Sequence, residues 1–169
     1  MKTAMQNAEM QKVADMIKDI KFAMITSTGN DGRLRSRPMT TIDVTDDGCL
    51  WFFTGEHSEK TSELNTHPLV NVSYSDIKND TYVSIAGRAT ISQDRQKMEE
   101  HWSPMLKSWF PKGLDDPNLA LLQVEIESAE YWDVKSSKMT QLFDMLKAAA
   151  TGTRADDHMD TDHREIKVM

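Results

Sequence analysis

Apolar residues recur at helical spacing at Met10, Val13, Ile17 and Ile20, among Gln, Lys and Asp. This predicts an amphipathic first helix with one buried stripe. The period then changes. Residues 21–28 read as a strand, Gly29-Asn30-Asp31-Gly32 as a turn, and 33–44 as a second strand. Asp46-Asp47-Gly48 turns the chain again, and 49–54 is a third strand rich in aromatics. A helix over 58–65 follows, with Ser58 as its N-cap and His67-Pro68 as its stop. Val70, Val72 and Tyr74 alternate along a fourth strand, 69–75, and 81–92 forms a fifth. Gly87, in the middle of that strand, predicts a bulge or a close backbone approach.

Asp94 caps a short helix running to about Trp102, which Pro104 interrupts. The loop beyond carries Trp109-Phe110-Pro111, aromatics suited to an interface, a lid or packing over the core. Residues 119–126 are a sixth strand, and 130–134 a seventh or its continuation. Met139, Leu142, Phe143 and Leu146 predict a last helix over 138–150, stopped by Gly152. Six or seven antiparallel strands in hairpin order, with one helix between the third and fourth, make a mainly β fold: a small barrel or sandwich with peripheral helices.

At 169 residues the chain is read as one domain over 1–152, followed by a polar tail over 153–169. Asp156, Asp157, His158, Asp160, Asp162 and His163 lie in that tail. The two histidines are too irregularly placed to favour a metal site, so a solvated, partly mobile tail is expected, with Ile166 and Val168 pairing as a short edge strand. The net charge of −7 argues against general nucleic-acid binding. Cys49 is the sole cysteine, which excludes an intrachain disulfide and a cysteine zinc cluster and suits a reducing cytoplasm. No apolar run is long enough to span a bilayer, and no signal-peptide core precedes the first helix.

Chemistry concentrates at 50–74. Lys60 falls in the first turn of the predicted helix, where unpaired backbone N–H groups and the positive dipole end already favour an anion, best a phosphate. One hairpin earlier, Arg33, Arg35 and Arg37 alternate and so share a face of their strand. On a solvated face such a stripe costs little; on a buried one it needs an anion. Pro38 marks an edge or an interrupted ladder, where backbone groups are free to meet a ligand. His57, Ser58 and Asp43 form no triad signature, and no catalytic side chain is assigned.

Several segments, taken in order, resemble a known family. They are Arg35-Ser36-Arg37-Pro38-Met39, Trp51-Phe52-Phe53-Thr54, Ser58-Glu59-Lys60, Asn65-Thr66-His67-Pro68, Val70-Asn71-Val72-Ser73-Tyr74 and Val83-Ser84-Ile85-Ala86-Gly87. Together they resemble the FMN-binding split barrel of the pyridoxamine phosphate oxidase-like superfamily. Trp109-Phe110-Pro111, Asp116-Pro117 and Glu130-Tyr131-Trp132-Asp133 are closer to its general-stress-protein branch.

The resemblance implies that Arg35 reaches a flavin phosphate and that Ser36, Arg37, Pro38 and Met39 run along the flavin. It implies that Phe53 and Thr54 contact the ring system, and that Lys60, six residues after Thr54, binds the phosphate beside Ser58. Tyr82 stands where the oxidases have a glutamine near the flavin, and Trp132 is the candidate for a tryptophan that closes the site. Glu59 replaces an arginine common in the oxidases, and their C-terminal Arg-His substrate pair has no counterpart. The first implies one phosphate contact fewer or a different ligand; the second argues against pyridoxamine phosphate oxidase activity itself.

The implied cofactor is FMN, with FAD as the alternative, at the interface of a homodimer. The functional expectations are a flavin-dependent oxidoreductase, a non-catalytic flavin-binding stress protein, or a relative using deazaflavin or haem.

Overall fold

The computed structural model describes residues 4–133 and 162–167. Helix α1 (Ala4–Ile17) buries the expected stripe, Met10, Val13 and Ile17, and Ile20 packs against the same core. Strand β1 (Phe22–Thr28) and strand β2 (Leu34–Thr40) form a hairpin whose turn is closed by Gly32 at φ 78°. Pro38 is tolerated because β2 is the outermost strand of the sheet.

The second strand does not run on to residue 44 as the pattern predicted. It stops at Thr40, and the chain re-enters the sheet elsewhere as β3 (Asp43–Thr45). Two bonds make the switch. The Thr41 and Tyr74 hydroxyls lie 2.7 Å apart, and the Ile42 N–H donates to the Trp51 carbonyl, 2.8 Å away. Strand β3 then pairs with β4 (Cys49–Gly55).

After α2 (Glu59–Thr66), strands β5 (Leu69–Asp76), β6 (Thr81–Ser92) and β7 (Leu119–Asp133) follow, with α3 (Arg95–His101) between the last two. The sheet order is β2-β1-β5-β6-β7-β4-β3, and every pairing is antiparallel. Gly87 sits at the expected irregularity. The β6–β7 register shifts between Ala86 and Gly87, leaving Glu127 without a partner in the ladder, and a Cβ at Gly87 would lie 2.5 Å from the Glu125 carbonyl oxygen. This bulge lets one strand run through 119–133, so the segment from residue 130 is the continuation of the sixth strand, one of the two readings its pattern allowed.

Strand β4 pairs only with 119–125 of β7, so 128–133 is open to another strand. Strand β8 (Asp162–Lys167) takes that place. Residues 162–167 are therefore not solvated tail: Ile166 is buried in the core opposite Ala129, an edge pairing the alternation had suggested. Val168, the helix expected over 138–150, Gly152 and the acidic residues 156–160 lie outside the described residues. With eight strands among the described residues, the architecture is the mainly β, split-barrel-like fold with peripheral helices, two more than the lower strand count expected.

Strand β4 is buried on both faces, which explains its continuous apolar run. Leu50 and Phe52 face the main core; Cys49, Trp51 and Phe53 face a second cluster with Met98, Leu106 and Phe110. That second cluster roots the segment after α3 against the sheet, beside the start of α2. None of the described helices is long and apolar enough to cross a membrane.

Candidate functional site

The start of α2 is held from both sides. The Ser58 hydroxyl accepts from the Thr61 N–H (3.2 Å), and the Thr61 hydroxyl donates to the Gly55 carbonyl (2.8 Å). Asn118 staples the preceding turn: its carbonyl accepts from the Glu56 N–H and its side-chain oxygen from the His57 N–H. A rigid turn from β4 into α2 sends Lys60 inward rather than into water, and the lysine is only 9% exposed.

Lys60 meets a poor partner. Its ammonium donates to the Met39 thioether sulfur at 3.1 Å, a weak acceptor, and no carboxylate among the described residues offsets its charge. Burial, and then the nearby Arg37 guanidinium, pull its pKa down to about 8. An ammonium buried this way is costly unless an anion joins it. The Thr54 hydroxyl, also buried, has no hydrogen-bond partner among the described residues.

Both groups line one cleft of about 420 Å³. Its lining combines the polar Thr54, Ser58 and Lys60 with a larger apolar set that includes Phe22, Met39, Phe53, Trp109 and Phe110. A smaller hollow of about 230 Å³, between α1 and the β3–β4 turn, includes no buried cation.

The arginine stripe resolves differently from its pattern. Arg33 lies in the turn, exposed. Arg35 and Arg37 sit together on the half-buried side of β2 and converge on Glu63, one helical turn after Lys60. Arg37 Nη1 lies 2.9 Å from Glu63 Oε2 and Arg35 Nη1 3.2 Å from Oε1; the Ser27 hydroxyl donates to the same carboxylate. Arg35 also pairs with Asp31 at 3.0 Å. Glu63 is 1% exposed, and the Arg37 hydrogen bond holds its carboxyl below the usual range. Arg35 is thus engaged by two carboxylates, whereas Arg37 has one and is the arginine whose field reaches Lys60.

Of the residues the sequence singled out, Pro38, Met39, Phe53, Thr54, Ser58 and Lys60 come together in the cleft. Arg35 and Arg37 are held beside it on Glu63. Ser36 points to the opposite, exposed face, its hydroxyl 2.6 Å from that of Thr26. Tyr82 and Trp132 face each other across β6 and β7 and do not line the cleft of their own chain. Sequence reasoning missed Glu63, although a carboxylate three residues after Lys60 shares its helix face. It also assigned to the site none of Phe22, Ile42, Leu106, Trp109 and Phe110, which line the cleft.

The chain matches the model of the family described as pyridoxamine 5'-phosphate oxidase like over residues 8–156. It belongs to that family. Among its relatives, general stress protein 26 of Bacillus subtilis is 32% identical over 120 residues, covering 69% of this chain and 83% of that one. Protein bli-3 of Neurospora crassa is 28% identical over 158 residues, 86% of this chain and 76% of that one. The crystal structure of the general stress FMN/FAD binding protein from Xanthomonas citri superposes with a TM-score of 0.65 at 30% identity, over 75% of this chain and 89% of that one. A general stress protein 26 from Jannaschia sp. shares the fold over 95% of this chain and 99% of its own, with a TM-score of 0.71 at 23% identity.

Proposed function

We propose that this member of the pyridoxamine 5'-phosphate oxidase-like family binds a phosphorylated flavin, FMN or FAD, in the cleft between β2, β4 and α2. The observation that carries the proposal is Lys60: a buried ammonium without a carboxylate partner among the described residues, at a helix start, beside an unpartnered threonine hydroxyl. The FMN/FAD binding named for the Xanthomonas citri relative supports the same reading.

Lys60 and the first-turn N–H groups would hold the phosphate, with Arg37 adding charge beside them. The Thr54 hydroxyl and the backbone around Pro38 would offer hydrogen bonds to the ring edge; Phe53 and Met39 would provide apolar surface. A bound flavin supplies a reducible ring, so the protein's part is binding, orientation and exclusion of water. Haem is less well served, because the cleft is built around a single buried cation and its lining holds no histidine, cysteine or tyrosine for iron, while the Met39 sulfur already accepts from Lys60. Whether the flavin turns over with a donor is the second question, separating an oxidoreductase from a flavin-holding stress protein.

The reading extends to a homodimer. Phe22, Met24, Leu34, Leu69 and Tyr82 are exposed on the strands running from β2 to β6, and Phe22 also borders the cleft. A second copy covering that face would close the cleft and bring Tyr82 and Trp132 toward it.

The test is the visible spectrum of the purified protein, followed by titration with FMN and FAD. Saturable binding of either supports the proposal. A colourless protein that binds neither removes it.

A further inference from the structure

We propose that Trp109 is the wall against which the flavin ring packs within one chain, where the resemblance implied Trp132 as the tryptophan that closes the site; this rests on the flavin reading above. The Trp109-Phe110 pair was conspicuous in the sequence but had no role in the phosphate end of the site.

Its two rings are used differently. Phe110 is buried in the second cluster with Phe53, and its N–H donates to the Leu106 carbonyl at 2.9 Å. Trp109, whose N–H donates to the same carbonyl at 3.0 Å, turns outward and stays 63% exposed. The Gly113 N–H closes the next turn onto the Phe110 carbonyl at 2.9 Å. Trp102 meets Phe53 edge-on, with centroids 5.7 Å apart, so the segment is fixed to β4 on its inner side. The result is a firmly seated backbone presenting a large, flat, largely solvated ring to a cleft.

That ring lines the same 420 Å³ space as Lys60 and Thr54, as does Phe22 (59% exposed). A ligand that joins an anion to a flat apolar ring system matches a lining that joins a buried cation to exposed aromatics. An electron-poor heteroaromatic ring gains from stacking on an electron-rich indole as well as from the apolar area it covers. Trp132, by contrast, lies in the β6–β7–β8 ladder opposite Tyr82 and His163, outside this space.

The experiment compares FMN and riboflavin binding by wild type, Trp109→Ala and Trp109→Phe, followed by flavin absorbance and quenching of tryptophan fluorescence. Because Trp109 is exposed, neither substitution removes core packing. Loss of the indole is expected to weaken both flavins by about tenfold and to an equal degree, since the ring is common to both. The flavin band should shift back toward its free position, and Trp109→Phe should restore most of the affinity.

A wild type that binds flavin while Trp109→Ala binds both ligands with unchanged affinity and spectrum overturns the assignment. So does a Trp109→Ala protein that changes oligomeric state and leaves flavin affinity intact, which would give Trp109 to a contact between copies. A wild type that binds neither flavin removes the flavin reading, and this assignment falls with it.

Discussion

Replacing Lys60 by methionine keeps the aliphatic stem beside Met39 and deletes only the ammonium. A charge-assisted hydrogen bond to a phosphate is worth roughly 1.5–3 kcal/mol, so FMN should lose about 10- to 150-fold in affinity. Riboflavin, lacking the phosphate, should change by less than about threefold. The ligand-free variant should melt higher than wild type, because it no longer buries an unpaired cation.

The pH dependence follows from the same group. With its pKa near 8, the free protein's Lys60 is charged at pH 7 and mostly neutral at pH 9. A bound phosphate favours the charged form, so FMN affinity should fall by about tenfold between those pH values while riboflavin stays level. For the ligand-free fold the sign reverses. The native pKa lies below the unfolded value near 10.5, so the unfolded chain binds more protons between the two, and stability should rise with pH across that window. Isothermal titration of both flavins into both proteins, at pH 7 and 9, reads the affinities, and thermal melts of the ligand-free proteins across pH 8 to 10 read the stabilities. Equal losses for FMN and riboflavin in Lys60→Met would refute the phosphate assignment.

Three other outcomes are expected. Arg37→Ala should weaken FMN more than riboflavin, whereas Arg35→Ala, whose charge is engaged by Asp31 and Glu63, should change the two ligands alike; titration of each variant checks this. Glu63→Gln should cost about 1–3 kcal/mol in chemical denaturation by leaving two guanidinium groups without their shared carboxylate. In wild type the Glu63 contribution is present above the unfolded carboxylate value near 4.5 and should be lost as pH falls through its lowered native value, which acid unfolding of the two proteins would separate. Gly87→Ala should destabilise by about 1–3 kcal/mol, because its Cβ meets the Glu125 backbone, and a denaturation midpoint equal to wild type would contradict the close approach.

Where one local rule decides an element, the sequence was readable. The α1 stripe, the Ser58 and Asp94 caps, the turns at Gly32 and Gly48 and the bulge at Gly87 are each marked by residues at that place in the chain. What escaped depended on distant partners. The break at Thr41 is made by Tyr74 and Trp51, neither of which marks residue 41 locally. The edge strand at 162–167 was marked by its own alternation, but its partner was not: that is the length of β7 that β4 leaves uncovered.

The site divided in the same way. Lys60 was legible because a helix start announces itself in sequence. The arginines were ambiguous because alternation gives a face and not its burial; the answer was Glu63, three elements after β2 in the chain. Trp109 was conspicuous, but only the cleft gives it a neighbour in common with Lys60.

The central claim is that Lys60 receives the phosphate of a flavin held in this cleft. A crystal structure of the protein with FMN tests it most directly. The account predicts a phosphate oxygen within hydrogen-bonding distance of Lys60 Nζ, with the ring toward Phe53 and Trp109. A phosphate bound elsewhere, with Lys60 still resting on the Met39 sulfur, would contradict it.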